Sequence, residues 1–368
     1  MRLAIISLSA RVYTQMARRE GHVVLAIDAY ADQDTRRAAQ QYYACPSLAH
    51  LDETTFSQLL AVLAQAQVEA VLVGSGFEHQ VDYYGRLCQQ FNVLGNPPEI
   101  YQTLKDPLAL QRLCQQAQLL TPAVRLQPPA EGGWLQKQAG ACGGAHVSWH
   151  VPGGQTRPND GLPQYYQRWQ PGVAVGGLLL GDGQQQHLLG VHWLYQRQQD
   201  FAYAGARLCQ EDALQVAMQQ VVESLSPHVS LLGLNSIDAV WDQQQLHVLE
   251  INPRLSASLR LYADAGLIGR HIRACKQQAE ARMLPVSGHA CHLVLYARQA
   301  LHVTDWPWPD WLEDVPAVPV VEAGQPLCSL FAAAESEQAV NAALSEKINA
   351  LKRLWGTRNV NNIEYTSH

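Results

Sequence analysis

Two apolar runs, residues 236–240 and 246–251, flank the polar turn Asp242-Gln243-Gln244-Gln245 and read as a β-hairpin. A carboxylate, Asp238, interrupts the first run, and Glu250-Ile251-Asn252-Pro253-Arg254 closes the second. Asp238 and Glu250 stand twelve positions apart. In a hairpin an even separation about a short turn lets two side chains share a face. Two carboxylates and an amide oxygen facing one another call for a cation, and an oxygen-only donor set favours Mg²⁺, commonly shared with phosphates. A hairpin whose charges are merely solvated is the plain alternative. Glu250 and Asn252 argue against it, because they break an otherwise buried-looking strand.

The rest of the chain reads as alternating elements. Strands are expected at residues 2–7, 22–28 and 68–74, with helical patterning over 11–19 and again from near Thr35. That alternation implies a parallel α/β unit with functional loops at the carboxyl ends of its strands. Ser9, Arg11, Asp28 and Glu78 lie in those loops and are candidate substrate contacts. No G-x-G-x-x-G follows the first strand, so a dinucleotide-binding dehydrogenase is not expected. The breaker run Gly95-Asn96-Pro97-Pro98 marks a boundary, and helical patterning is expected over 100–119, with Lys105 ahead of a following helix. Strands are expected at 134–138, 145–151, 173–180 and 187–195, with a loop over 153–163 and a helix over 211–225. Beyond Gly288, strands at 289–296 and 326–331 and a helix over 337–354 suggest a small β-rich unit. The Trp306-Pro307-Trp308-Pro309-Asp310-Trp311 loop would pack it against the body, and residues 356–368 read as a loose polar tail.

A net charge of −6 gives no reason to expect nucleic acid or an anionic membrane surface as partner. No apolar run approaches the length that spans a bilayer. The eight cysteines are scattered without a C-x-x-C pair, as expected of reduced thiols in a cytoplasmic protein. Only five of the 26 basic residues are lysines, which singles out Lys105 and Lys137. Lys137 ends a strand and precedes a turn rich in glycine (Gly140, Gly143, Gly144), a combination that offers a phosphate both a cation and flexible N–H donors.

In order, these pieces resemble the ATP-grasp superfamily of ligases. The likeness covers roughly residues 1–280 and is nearest to the predicted carboligase group related to biotin carboxylase and the carboxylating purine-biosynthetic ligases. It implies an α/β fold: a parallel α/β pre-domain (1–96), a two-lobed α+β ATP-binding domain (97–285), and a small C-terminal β-rich domain with a polar tail (286–368). It also implies ATP with Mg²⁺ or Mn²⁺ as cofactor. Lys105 and Lys137 would hold the α- and β-phosphates, Gly143 and Gly144 would flap over the γ-phosphate, and Gln167, Arg168 and Trp169 would run beside the adenine. Asp238, Glu250 and Asn252 would bind metal, and Arg254 would act on the transferring charge. Arg168 stands where many members carry Glu.

The activity so implied is a carboxylate–amine ligase that forms an acyl-phosphate from a small-molecule carboxylate, then an amide-type bond with an amine or other nucleophile. Family context points toward biosynthesis of a one-carbon carrier of pterin or furan type, and a homodimer is compatible with it. The alternatives are a bicarbonate-activating carboxylase, which would need a separate acceptor since no Ala-Met-Lys-Met stands in the chain, and a catalytically silent ATP-binding protein.

Overall fold

The computed structural model describes residues 1–154, 161–197, 199–262, 266–278 and 288–365. The expected boundary at 285/286, six residues of the 153–163 loop and the last three residues lie outside these. Five parallel strands, Arg2–Ser7, Val23–Asp28, Gln41–Ala44, Ala70–Val73 and Val93–Leu94, form the N-terminal sheet. Its central strand is apolar on both faces: Leu3 and Ile5 enter one core cluster while Ala4 and Ile6 enter another. Such two-sided burial is what a parallel sheet covered by helices requires. The strand Gln41–Ala44 was not expected, because its sequence is polar and half-exposed at the sheet edge.

The order of this sheet reverses between Arg2–Ser7 and Ala70–Val73, which lie side by side. The loops leaving their carboxyl ends therefore open a crevice, the usual ligand position in such sheets. Helices Arg11–Arg19 and Leu267–Cys275 pack between this sheet and a long antiparallel sheet. That second sheet runs Leu246–Asn252, Leu232–Trp241, Val173–Asp182, Gln186–Gln196, Tyr203–Leu208, His289–Ala297, Pro326–Ala334. It is continuous from the metal-type hairpin into the C-terminal segment. A four-stranded sheet of Val124–Arg125, Gln164–Arg168, Trp134–Gln138 and Ser148–Trp149 forms a smaller lobe above it.

Two expectations need correction and a third is sharpened. The helical patterning over 100–119 divides into two helices, Pro98–Lys105 and Pro107–Gln116. Pro107 has no N–H to continue the first, and the preceding Asp106 is extended and caps the second through Ala109 N at 2.6 Å. This break leaves Lys105 at a helix end. The strand over 145–151 shrinks to Ser148–Trp149. The described part of the tail is packed: Val360 and Ile363 are buried, and Ile363–Glu364 pairs with His289–Ala297. The Trp306 and Trp308 rings pack on Trp355, whose indole donates to Pro307 O at 2.8 Å. All eight cysteines are unpaired thiols. Among the described residues no helix is long and apolar enough to cross a membrane.

Candidate active site

The hairpin Leu232–Trp241/Leu246–Asn252 builds one wall of the site, and its register departs from simple parity. The four-residue turn pairs Trp241 with Leu246, Val240 with His247 and Ala239 with Val248. Continued without interruption, that ladder would place Leu249 opposite Asp238 and turn Glu250 toward the core. A β-bulge after Val248 inserts Leu249 as an extra residue, and Asp238 then pairs with Glu250 and Ser236 with Asn252. Accordingly Leu246, Val248 and Ile251 all face the core, while Asp238, Glu250 and Asn252 face a cavity of about 820 Å³.

Within that wall the Asn252 amide donates to Asp238 Oδ2 at 3.2 Å. Lys105 Nζ, nearly buried, donates to Asn252 Oδ1 at 2.7 Å and is ion-paired with Glu250. Burial works to raise the Glu250 carboxyl, but Lys105 at contact, with Lys137 and His146 nearby, holds it well below the usual carboxylate range. Burial, reinforced by the charge of Glu250, pushes the Asp238 carboxyl up instead. The two acids thus sit in opposite electrostatic states across one cross-strand pair. The donor set is all oxygen, which fits Mg²⁺. Among the described residues no three His, Cys, Asp or Glu side chains are placed to hold a metal unaided. A cation here would complete its shell with water or phosphate oxygens.

Lys137 projects from Trp134–Gln138 and donates to Gln167 Oε1 at 2.7 Å on the neighbouring strand. Burial lowers its pKa, opposed by the charges of Glu250 and Asp238. The following turn enters the left-handed region at Gly143 (φ 76°) and Gly144 (φ 79°). A Cβ on Gly144 would lie 1.9 Å from the Phe201 carbonyl oxygen, so only glycine fits there. Tyr203 N donates to Gly143 O at 2.9 Å, which holds the turn against the segment beside it. Trp169 lines the same cavity and packs with Trp149 and Phe201 at ring separations of 5.0 and 5.9 Å.

Arg254, nearly buried, lines the cavity just past the end of the hairpin. Its Nε donates to Glu78 Oε1 at 2.8 Å, and Glu78 Oε2 accepts from Gly76 N at 2.7 Å. The loop after strand Ala70–Val73 therefore orients the arginine that closes the Glu-x-Asn-Pro-Arg run. Ser9 lines the cavity. Arg11 reaches its edge, but the guanidinium is committed to Asp314 (Nε to Oδ1, 2.6 Å) and Glu313 (3.0 Å). Asp28 is fully buried and accepts from Ala10 N at 2.7 Å and Ala31 N at 2.6 Å, a structural use. Arg168 turns outward to Gly132 O and the Trp134 ring.

Lys105, Lys137, Gly143, Gly144, Trp169, Asp238, Glu250, Asn252 and Arg254 are thus gathered on one cavity. Gln167 sits behind Lys137. Asp28 and Glu78 support the loops, and Arg168 lies apart. Sequence reasoning missed His146, Ser256 and Ser258, which also line the cavity. Ser256 and Ser258 carried a signal, as they follow the Glu-x-Asn-Pro-Arg run directly.

A family model described as the ATP-grasp domain matches residues 105–258. No curated protein matches the chain. The fold is similar to the biotin carboxylase domain of Hydrogenobacter thermophilus 2-oxoglutarate carboxylase, solved with MgADP and bicarbonate (TM-score 0.72, 10% identity, 95% of this chain and 89% of that one). It is also similar to Staphylococcus aureus N5-carboxyaminoimidazole synthetase complexed with ADP (0.67, 15%, 95% and 96%). A third likeness is to Campylobacter jejuni biotin carboxylase (0.69, 12%, 99% and 92%). At these identities the likeness is one of fold.

Proposed function

We propose that this chain, whose residues 105–258 match the ATP-grasp domain, is an ATP-dependent ligase that joins a small-molecule carboxylate to an amine or other nucleophile through an acyl-phosphate. One observation carries the reading: Lys105, Asp238, Glu250 and Asn252 form a single bonded group facing the cavity that Lys137 and the glycine turn also line. Asp238, Glu250 and Asn252 would hold Mg²⁺, which when bound neutralises phosphate charge. Lys105 would leave Glu250 for a phosphate oxygen, and Lys137 would meet a second one. The N–H groups of the turn at Gly143 and Gly144 would cover the terminal phosphoryl. Arg254, kept in place by Glu78, would stabilise charge as the carboxylate oxygen attacks in line. A cofactor-biosynthesis role for the product belongs to the same proposal and rests on family context alone.

The fold likeness to carboxylases favours a second reading, in which bicarbonate is the activated carboxylate. One assay addresses both. ADP release with Mg²⁺ is followed across amino acids, small carboxylates and bicarbonate, each with and without amines, for the wild type and Glu250→Gln. The ligase reading expects release that depends on an organic carboxylate and falls in Glu250→Gln by about a hundredfold or more. Equal background release from both proteins with every substrate would sink it, and release dependent on bicarbonate alone would select the carboxylase.

A further inference from the structure

The cavity continues past the hairpin into a chamber walled by the N-terminal loops and the C-terminal segment, lined there by Tyr30, Asp32, His292, Tyr296, Asp314 and Ser329. Around it stand the carboxylates Asp28, Asp32, Asp34, Glu313 and Asp314 and the guanidiniums Arg11 and Arg260, with the Arg197–Asp200 pair beside the Tyr296 ring. Most of these groups are accounted for. Asp28 accepts two backbone N–H groups, and Asp34 accepts from Asp314 N at 3.0 Å and Val315 N at 3.1 Å. Arg11 holds Asp314 and Glu313, and Arg260 donates to Glu313 at 2.9 Å.

Two groups are not. Asp32 is 6% exposed, heads the helix Gln33–Ala38 and makes no cap bond to it. Burial, then the charges of Asp314, Asp28 and Asp34, hold its carboxyl well above its ordinary range. His292 is 4% exposed, and neither ring nitrogen has a hydrogen-bond partner. The Asp314 Oδ2 atom lies 3.9 Å from its Nε2, beyond hydrogen-bond reach. Burial lowers its pKa to about 4, so the imidazole is neutral, with one donor and one acceptor unmet. Buried polar groups left without partners cost free energy that a ligand can return.

We infer that this chamber receives the second substrate, and that it selects one bearing a cationic nitrogen, set on Asp32 with the His292 ring as neighbour. The inference rests on the ligase reading for the chamber's role and specifies the class of nucleophile-bearing partner. Tyr30 supplies a ring face suited to such a cation, that of Tyr296 being covered by Arg197 at 5.1 Å.

The test is a charge series on one skeleton: benzylamine, benzyl alcohol and benzoate, titrated calorimetrically into the full chain with Mg·ADP present. Benzylamine is expected to bind about tenfold or more tightly than benzyl alcohol, with benzoate weakest. Asp32→Asn should bring benzylamine to the alcohol's affinity and leave Mg·ADP binding unchanged. Equal affinities across the series, tightest binding of benzoate, or a preference retained in Asp32→Asn would overturn the inference. If the variant fails to fold, the wild-type series decides alone. Failure here with Mg·ADP still bound leaves the ligase reading standing, whereas loss of Mg·ADP binding by the wild type would defeat that reading instead.

Discussion

The side chains of this site balance one another, and Lys105 is where the balance is most exposed to test. Its ammonium stands between Glu250 and Asn252, where a divalent cation would also sit. Lys105→Ala removes a competitor for the metal and a partner for the nucleotide. Calorimetry is therefore expected to find Mg²⁺ alone binding more tightly, and Mg·ADP binding more weakly by about tenfold, the worth of one charge-assisted bond. Changes of the same sign in both would show that Lys105 serves only to shape the wall. Asp28 allows a test of pH dependence. Burial raises its carboxyl from 3.8 to about 6 in the folded protein, despite the N–H groups of Ala10 and Ala31. The folded state thus holds a proton that the unfolded chain gives up. The associated stability is present below the ordinary carboxylate value and is lost as pH rises toward 6, by about 3 kcal/mol in total at 1.4 kcal/mol per unit. Asp28→Asn, which keeps an acceptor oxygen, should flatten the melting temperature between pH 4 and 6 relative to wild type. Parallel profiles for the two proteins would refute this account.

Among elements, the hairpin shows how far a sequence can be read. Its strands, turn and polar positions were legible because apolar runs and a four-residue polar break are local signals. Which face each residue takes was not, because the even spacing of Asp238 and Glu250 places them together only through the bulge at Leu249. Nothing in the local sequence marks that residue as extra. The split at Asp106-Pro107 was written in the chain, since proline and a capping aspartate end one helix and begin another. The edge strand Gln41–Ala44 was not, lacking an apolar face. Deleting Leu249 is predicted to remove the bulge while leaving Glu250 opposite Asp238, since a regular ladder then brings Glu250 to that position. Mg·ADP binding should therefore survive the deletion, at a cost of about 1 kcal/mol in stability. Inserting an alanine after Leu249 should instead push Glu250 out of that position toward the apolar face, where an unpaired buried charge costs about 3–5 kcal/mol and Mg·ADP binding is lost. Urea unfolding and calorimetry separate the two variants, and loss of Mg·ADP binding in the deletion variant would mean that Leu249 is not the extra residue.

At the scale of the whole molecule, two arginines tie the N-terminal sheet to the rest of the chain. Arg254 reaches Glu78 from the end of the hairpin, and Arg11 reaches Glu313 and Asp314 from the first turn of helix Arg11–Arg19. Sequence patterning had no means of finding either tie, since each joins residues more than 170 positions apart. It offered Arg11 as a substrate contact because an arginine at the carboxyl end of a strand looks available. In the folded protein it is 1% exposed and encircled by Asp34, Glu313 and Asp314. Burial opposes the Asp314 charge, and Arg11 overrides that to hold its carboxyl down to about 2. Removing the cation while leaving the acids buried is the costly half of such an arrangement. Arg11→Met should therefore lower stability by about 3–5 kcal/mol in urea unfolding, and Asp314→Asn added to it should recover part of the loss. An arginine serving only to hold substrate would behave differently: Arg11→Met would leave unfolding nearly unchanged and raise the KM for the second substrate. The sign of the double-variant coupling decides between a tie across the molecule and an anchor for a ligand.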